Sequence, residues 1–192
     1  MIRTRAIIPL ALGALLLSGC ALVPTAQSQQ RIAPHLIPFG LLGPTIPGTG
    51  NGRVRFITQP IYIVDATGDL AASSRIVPAP PVLATVLRQL INGPTRFEKI
   101  GGYTSALPEN LVLLSASIKN EVGYIDLATP LTKLPPRSEE RAVGQLVLTA
   151  HAAGAANGIE ITVAGVAQRS LLPNGKRSLV VVPSEFASLV NG

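Results

Sequence analysis

The sequence predicts an α+β domain in which a mostly antiparallel sheet carries two main helices on one face. Three observations predict this fold class. Short runs rich in Ile, Val and Tyr are bounded by turn residues, which is typical of hairpin strands. Two longer segments place apolar residues at helical spacing on one face. These segments follow one another in the order β-β-α-β-β-α-β-β-α, with a third, shorter helix at the end.

The first part of the domain is predicted to be a hairpin followed by a helix. Residues 59–65 are read as a strand and residues 70–77 as its partner, with a turn between them. Pro80-Pro81 is expected in the first helical turn, where proline is tolerated. Asn92-Gly93-Pro94 is expected to end the helix, because glycine suits the left-handed position that follows it. The predicted buried face consists of Leu83, Val86, Leu87, Leu90 and Ile91.

A second hairpin is predicted at residues 113–127, with Asn120-Glu121 at its tip. If Lys119 faces Val122, one face of the hairpin is apolar and the other is mostly polar, as a half-buried antiparallel pair requires. The expected apolar pairs are Leu114–Leu127, Ala116–Ile125 and Ile118–Gly123.

The second main helix is expected to begin near Ser138 as its N-cap, with Glu139-Glu140 placed favourably in the helix dipole. Residues 159–163 and 178–182 are then read as strands. Residues 184–190 are read as a final short helix capped by Ser184. The buried stripe of the second helix is predicted at Val143, Leu146, Val147, Ala150 and Ala153.

The N-terminal region has the pattern of an export signal. A basic start precedes an apolar run at residues 6–17, which is too short for the roughly 20 residues of a membrane span but suits a signal peptide. Leu17-Ser18-Gly19-Cys20 resembles the lipobox of bacterial lipoproteins. Cleavage is therefore expected between Gly19 and Cys20, with Cys20 as the lipid anchor on the extracytoplasmic face of the cell membrane. The expected organisation is a signal peptide at 1–19, a flexible Pro/Gly-rich spacer at 20–58 and the domain at 59–192.

Composition narrows the range of function classes. The only cysteine is Cys20, so neither a disulfide nor a cysteine-based metal site can form within the chain. Without Arg3 and Arg5 of the signal, 14 basic and 10 acidic residues remain, a net charge of +4. The basic residues are scattered and do not alternate with aromatics, which argues against nucleic-acid binding. No metal or cofactor is expected.

Residue patterns for catalysis are weak. Ser105 is not part of a G-x-S-x-G elbow, and neither histidine, His35 or His151, has a carboxylate cluster nearby. Ser105 is therefore read as a loop hydroxyl that closes a turn. The carboxylates near strand ends are Asp65, Asp126 and Glu160, and Asp126 is expected to accept a hydrogen bond from the backbone or from Ser115. The chain is predicted not to be an enzyme.

Several short segments together resemble the GerMN domain, which occurs in bacterial spore-germination proteins and in LpqB-type lipoproteins. The resemblance extends from about Pro60 to Leu189 and rests on the order and spacing of the segments. They are residues 61–65 (IYIVD), 90–95 (LINGPT), 102–108 (GYTSALP), 113–115 (LLS), 122–127 (VGYIDL), 144–149 (GQLVLT) and 182–186 (VPSEF).

This resemblance implies a fold of the ring-building type found in cell-envelope assemblies, with no established catalytic residues. The expected function is a non-catalytic module that binds an envelope protein, and the alternative is a module that binds peptidoglycan or another wall glycan. Pairing of edge strands would also allow homo-oligomers. The cluster expected to contact a ligand or partner consists of Arg96, Lys99, Tyr103 and Thr104.

Overall fold

The computed structural model describes residues 54–190 of the 192-residue chain. The expected signal peptide, the cleavage point at Gly19 and Cys20, and most of the expected spacer lie outside the described residues. Residues 51–192 form a compact unit of their own. Its buried apolar side chains lie between Ile61 and Phe186, so this unit has a core built from its own residues.

The unit begins with the predicted hairpin. β1 (Phe56–Val64) and β2 (Leu70–Pro78) pair antiparallel along their whole length, and β1 starts three residues earlier than predicted because the ladder continues to Phe56. The Asp65 carboxylate accepts three backbone N–H groups of the turn at 2.8–3.0 Å. Aspartate commonly closes turns in this way.

The first helix, α1 (Leu83–Ile91), begins later than the sequence predicts. Both Pro80 and Pro81 precede its N-cap residue, Val82, because a residue that stands before proline is pushed out of the helical region. The predicted helix end is confirmed, since Gly93 has a φ of +75°. The predicted buried face is confirmed at Leu83, Val86, Leu87 and Leu90, and Ile91 is half-buried.

The second hairpin consists of β3 (Leu113–Lys119) and β4 (Val122–Leu127). The two tip residues have φ angles of 49° and 63°, as a type I′ turn requires, and the predicted register is confirmed for the five pairs next to the tip. The sixth pair is wrong. Leu127 faces Leu113, because a β-bulge shifts the register there and leaves the side chain of Leu114 exposed.

α3 (Pro136–Ala152) connects β4 to β5 (Ile159–Val163), and β4 and β5 are parallel, a pairing that needs a crossover of this kind. The helix begins before the predicted cap Ser138. Its N-cap is Pro135, and the missing N–H of Pro136 is harmless in the first turn. The predicted stripe is confirmed at Val143, Leu146, Val147 and Ala150, and Ala153 is half-buried.

Four two-residue strands complete the sheets. β6 (Val166–Ala167) and β9 (Val180–Val181) share the outer edge of β5, which gives a five-stranded sheet. β7 (Ser170–Leu171) and β8 (Arg177–Ser178) pair separately, so the strand predicted over 178–182 is divided between two ladders. Every described ladder except β4–β5 is antiparallel. The mostly antiparallel α+β class is confirmed, with the strands divided among three sheets.

The described chain ends in a 3-10 helix at Pro183–Leu189, where the sequence predicts an α-helix over 184–190 capped by Ser184. No side-chain cap forms; instead, the Glu185 carboxylate accepts the backbone N–H that precedes the helix at 2.9 Å. Phe186 is fully buried and packs this segment onto the core.

The outer edge of β1 is closed near its C-terminal end by neighbouring segments. The Tyr62 N–H donates to the Thr149 hydroxyl and the Tyr62 carbonyl accepts from the Gln145 amide, both at 2.9 Å. Val64 and Thr104 exchange backbone hydrogen bonds of 3.0 and 2.7 Å. Thr149 and Gln145 are fully buried on α3, so the helix satisfies the backbone groups that a third strand would otherwise pair.

An ion pair between a buried carboxylate and an exposed guanidinium holds the β7–β8 ladder against α3. Glu139 is only 2% exposed, and both of its carboxylate oxygens accept from Arg177, at 2.6 and 2.8 Å. The hydrogen bond to Glu139 raises the pKa of the Arg177 guanidinium. Glu139 therefore does more than complement the helix dipole, because its two hydrogen bonds to Arg177 tie α3 to β8.

Candidate functional site

A third helix, α2 (Arg96–Ile100), forms a corner just after α1. This helix was not predicted from the sequence. The hydroxyl of Thr95 accepts the Glu98 N–H at 3.3 Å, and the Glu98 carboxylate accepts the Thr95 N–H at 2.6 Å. This reciprocal arrangement is a capping box. Its sequence signature, Thr95-x-x-Glu98, is the signal that could have revealed the helix.

The Glu98 side chain turns inward and ties α2 to β2. Its oxygens accept from the two terminal nitrogens of Arg75, at 2.9 and 2.8 Å, and from the Ser73 hydroxyl. The same guanidinium lies 3.4 Å from the Gly93 carbonyl at the end of α1. Burial raises the pKa of Glu98, but the hydrogen bonds from Arg75, Ser73 and Thr95 outweigh it and lower the pKa to about 2.

The outer face of α2 consists of Arg96, Phe97, Lys99 and Ile100. With roughly 100° between successive helical residues, Arg96 and Ile100 point away from the inward Glu98, while Phe97 and Lys99 lie on opposite flanks. Phe97 is 85% exposed and Ile100 is 75% exposed, the highest values among the large apolar side chains in the described part of the chain. A short, well-anchored helix thus presents two apolar and two cationic groups to solvent.

A groove with a volume of about 540 Å³ lies beside α2, between the end of α1 and the loop at residues 102–109. Its walls are divided about equally between apolar and polar groups, and they include one aromatic ring, one amine and one carboxylate. Its lining residues are Ile91, Asn92, Gly93, Pro94, Lys99, Gly102, Tyr103, Thr104, Ser105, Leu107, Pro108 and Glu109.

The loop that lines the groove is fixed by hydrogen bonds. The buried Gln145 side chain accepts the Ala106 N–H at 2.7 Å, and the Ser105 hydroxyl accepts the Leu107 N–H at 3.2 Å. Ser105 therefore closes a turn, as predicted. Gly102 has a φ of +84°, and a Cβ there would lie only 3.0 Å from the Ala66 side chain, so this backbone approach favours glycine.

The structure brings together three of the four residues predicted to contact a ligand. Lys99, Tyr103 and Thr104 line the groove, whereas Arg96 lies on the outer face of α2 and is not among the lining residues. Phe97 and Ile100 were missed by sequence reasoning, because two apolar residues in a short polar segment show no periodicity until the helix is recognised.

The carboxylates considered for catalysis have structural partners or do not line the groove. Asp126 accepts from the Thr162 hydroxyl at 2.6 Å and the Gly165 N–H at 3.0 Å, which lower its pKa. The expected backbone bond is thus present, but the hydroxyl partner is not Ser115. Asp65 closes the β1–β2 turn, and neither these two nor Glu160 line the groove.

Residues 54–190 contain neither a cluster of metal ligands nor a helix that could span a membrane. Nowhere in this range do three or more His, Cys, Asp or Glu side chains gather in a way that would hold a metal ion. His151 is exposed in the last turn of α3. None of the helices in the same range combines the length and apolar character of a membrane span.

Comparison with known proteins identifies the domain. The first GerMN domain of the sporulation protein GerM from Bacillus subtilis superposes with a TM-score of 0.51 at 16% identity, covering 67% of this chain and 98% of that structure. The tandem GerMN domains of the same protein give the same score and identity, and the match covers 46% of that structure, so this chain spans less than half of the tandem. No curated protein sequence matches.

The sequence profile of the Germane family, described as sporulation and spore germination, matches residues 60–169. The match covers more than half of the chain and includes α1, α2, α3 and the groove. The confirmed α+β fold and the structural likeness to GerMN domains agree with it. The chain therefore belongs to the Germane family of sporulation and spore-germination domains.

Proposed function

We propose that the protein is an extracytoplasmic lipoprotein, anchored to the cell membrane through Cys20, whose GerM-like domain binds another protein of the cell envelope without catalysing a reaction. The short apolar leader and the Leu17-Ser18-Gly19-Cys20 pattern support the anchor. Membership of a sporulation and germination family supports an envelope role.

The observation that carries the binding proposal is the groove beside α2. Its volume of about 540 Å³ lies within the usual range for binding sites, and its apolar groups combine with polar groups that would orient a bound segment. Tyr103 is half-buried there and supplies the aromatic contact that interface hot spots favour. Because the Gln145 and Thr104 hydrogen bonds fix the loop, a partner would meet a preformed surface.

The hydrogen bonds within the domain support a non-catalytic role. The Ser105 hydroxyl and the carboxylates of Asp65 and Asp126 are engaged in turns, and Glu139 and Glu98 are paired with arginines. A nucleophile needs a base within hydrogen-bonding reach, and Ser105 contacts Gln145 and the backbone instead.

The anchor is tested by mass spectrometry of the protein recovered from bacterial membranes. We expect the chain to begin at Cys20 with a diacylglyceryl group, and Cys20→Ala to prevent both cleavage and acylation. Intact leader and a free thiol on soluble protein would contradict the proposal.

The binding role is tested with a photo-crosslinking amino acid at Glu109, an exposed residue of the groove. We expect one envelope protein to be captured there, and Tyr103→Ala to reduce its capture at least tenfold. The control places the same amino acid at Lys133, which is exposed after β4 and away from the groove lining. Equal capture at both positions, or none that depends on Tyr103, would contradict the proposal.

A second candidate ligand is a glycan of the cell wall. The Tyr103 ring lies in the groove with the hydroxyl groups of Thr104 and Ser105, which provides an apolar surface beside hydrogen-bonding groups. Sedimentation with purified wall material separates this candidate from protein binding. Pelleting that Tyr103→Ala abolishes would favour the glycan, and pelleting lost only in salt would indicate simple charge attraction.

A further inference from the structure

The outer face of α2 has a composition that the groove does not explain. Phe97 and Ile100 are 85% and 75% exposed, and Arg96 and Lys99 are exposed beside them. The only acidic residue of the helix, Glu98, is turned inward and paired with Arg75. The surface that remains is apolar and positively charged.

We propose that the outer face of α2 docks onto an anionic lipid bilayer. Phe97 and Ile100 enter the boundary between headgroups and acyl chains, while Arg96 and Lys99 contact lipid phosphates. Interfacial segments combine the same two elements, an apolar surface to insert and cations attracted to anionic lipids. This proposal rests on the lipoprotein function proposed above, because the anchor places the domain next to a bilayer.

The helix is preorganised for such a contact. The capping box at Thr95 and the two hydrogen bonds between Glu98 and Arg75 hold α2 in place on β2 before any partner arrives. Binding therefore requires little additional ordering of the backbone. Because Arg75 neutralises Glu98, a negative charge that would repel an anionic surface is removed from the exposed face.

A second exposed apolar group on the domain has fewer cations within it. Phe56 is 59% exposed and Ile76 is 73% exposed, and both lie on the solvent face of the β1–β2 hairpin. The residues beside them on that face are Thr58, Ser74 and Pro78, which are uncharged. One exposed cation, Arg55, precedes Phe56 in the chain. Exposure of the apolar groups is therefore similar at the two sites, and the two cations within one short helix distinguish the outer face of α2.

The anchor makes a weak contact sufficient. The residues between Cys20 and Val54 can reach at most about 120 Å at about 3.6 Å per residue, so the domain is confined to a layer next to the bilayer. Because the anchor already holds the domain near the bilayer, docking of α2 is an intramolecular event with a high effective concentration. Two apolar side chains and two cations are then adequate, although they would hold a free domain only weakly.

The chain contains no tryptophan, so a single substitution creates a unique fluorescent reporter. Residues 51–192, which have a core of their own, are tethered by an N-terminal histidine tag to vesicles that contain a nickel-chelating lipid. The vesicles consist of equal parts of phosphatidylglycerol and phosphatidylcholine, or of phosphatidylcholine alone. Phe97→Trp reports on α2, and Phe56→Trp is the matched control on the hairpin.

On the anionic vesicles we expect the emission of Phe97→Trp to shift to shorter wavelength and to be quenched by brominated acyl chains. Phe56→Trp should keep its solution spectrum. The fraction of inserted reporter should fall about tenfold or more on phosphatidylcholine alone, or when Arg96→Gln and Lys99→Gln are combined. Lys133→Gln, which removes an exposed cation elsewhere, should leave it unchanged.

Three outcomes would overturn the proposal. The first is an emission spectrum of Phe97→Trp that does not shift when the domain is tethered to anionic vesicles. The second is an equal shift for Phe97→Trp and Phe56→Trp. The third is a shift of Phe97→Trp that occurs only when an envelope protein is bound. Because the histidine tag replaces the lipid, the result does not depend on acylation of Cys20. Failure here is therefore distinguishable from failure of the anchor or of the groove.

Discussion

The domain uses an arginine–carboxylate pair in two different settings. Glu139 belongs to a helix of 17 residues, is 2% exposed and holds a strand ladder against the core. Glu98 belongs to a helix of five residues and holds an exposed corner against β2 through Arg75. The geometry is similar, but the first pair maintains the fold, whereas the second positions a surface. Loss of the Arg177–Glu139 pair is therefore expected to destabilise the whole domain, whereas loss of the Arg75–Glu98 pair should affect mainly α2.

The largest effect is expected from Arg177→Ala. The substitution leaves the Glu139 carboxylate, which is 2% exposed, without its partner. Because the Arg177 side chain is 40% exposed, we expect a cost of about 3 kcal/mol, the low end of the range for breaking a buried pair. Urea unfolding of residues 51–192 measures the change in the free energy of unfolding. Adding Glu139→Gln, which removes the unpaired charge, should restore part of the loss. A cost below about 1 kcal/mol for Arg177→Ala would show that water already solvates the carboxylate.

A smaller, pH-dependent effect is expected from Glu98→Gln. The pKa of Glu98 falls from 4.5 to about 2 on folding, so its stabilisation is present above about pH 4.5 and is lost as the pH falls towards 2. The loss amounts to on the order of 1–3 kcal/mol. Urea unfolding at several pH values should show a shallower decline over this interval for Glu98→Gln than for the native chain. Equal declines would contradict the assignment.

The smallest effect on stability is expected when Phe97→Ser and Ile100→Ser are combined. Both side chains are largely exposed, so the free energy of unfolding should change by less than about 0.5 kcal/mol for each. Leu87→Ala in the buried face of α1 is the control and should cost about 2–5 kcal/mol. A large loss for the double variant would mean that the outer face of α2 packs within the fold, and the comparison between the two settings would fail.

The features that local patterns determine were predictable. Alternation of apolar and polar residues set the register of the second hairpin next to its tip, and helical spacing identified the buried faces of α1 and α3. Helix starts were less accurate. Ser138 and Ser184 are plausible caps by residue type, but a preceding proline begins each helix instead.

The features that depend on distant residues were not predictable. Arg177 and Glu139 lie 38 positions apart, and from the sequence Arg177 is one of the scattered basic residues, with nothing local to indicate its partner. The separation of the β1–β2 sheet is accompanied by bonds from Gln145 and Thr149 to Tyr62, and these polar side chains lie within a buried helix face. Of the groove, the segment with Lys99 and Tyr103 was found. The exposed apolar residues on the outer face of α2 were not found, because helix α2 itself was missed.

The closed edge of β1 has a consequence for proteins held together on one membrane. If the proposed anchor at Cys20 is present, copies of the domain meet one another far more often than molecules in solution do, and an unpaired strand edge can recruit a neighbouring strand into an aggregate. Near the end of β1 the backbone groups of Tyr62 and Val64 that would receive such a strand are already bonded to Thr149, Gln145 and Thr104. Crowding should therefore leave this end of the hairpin without a third strand from a neighbouring copy.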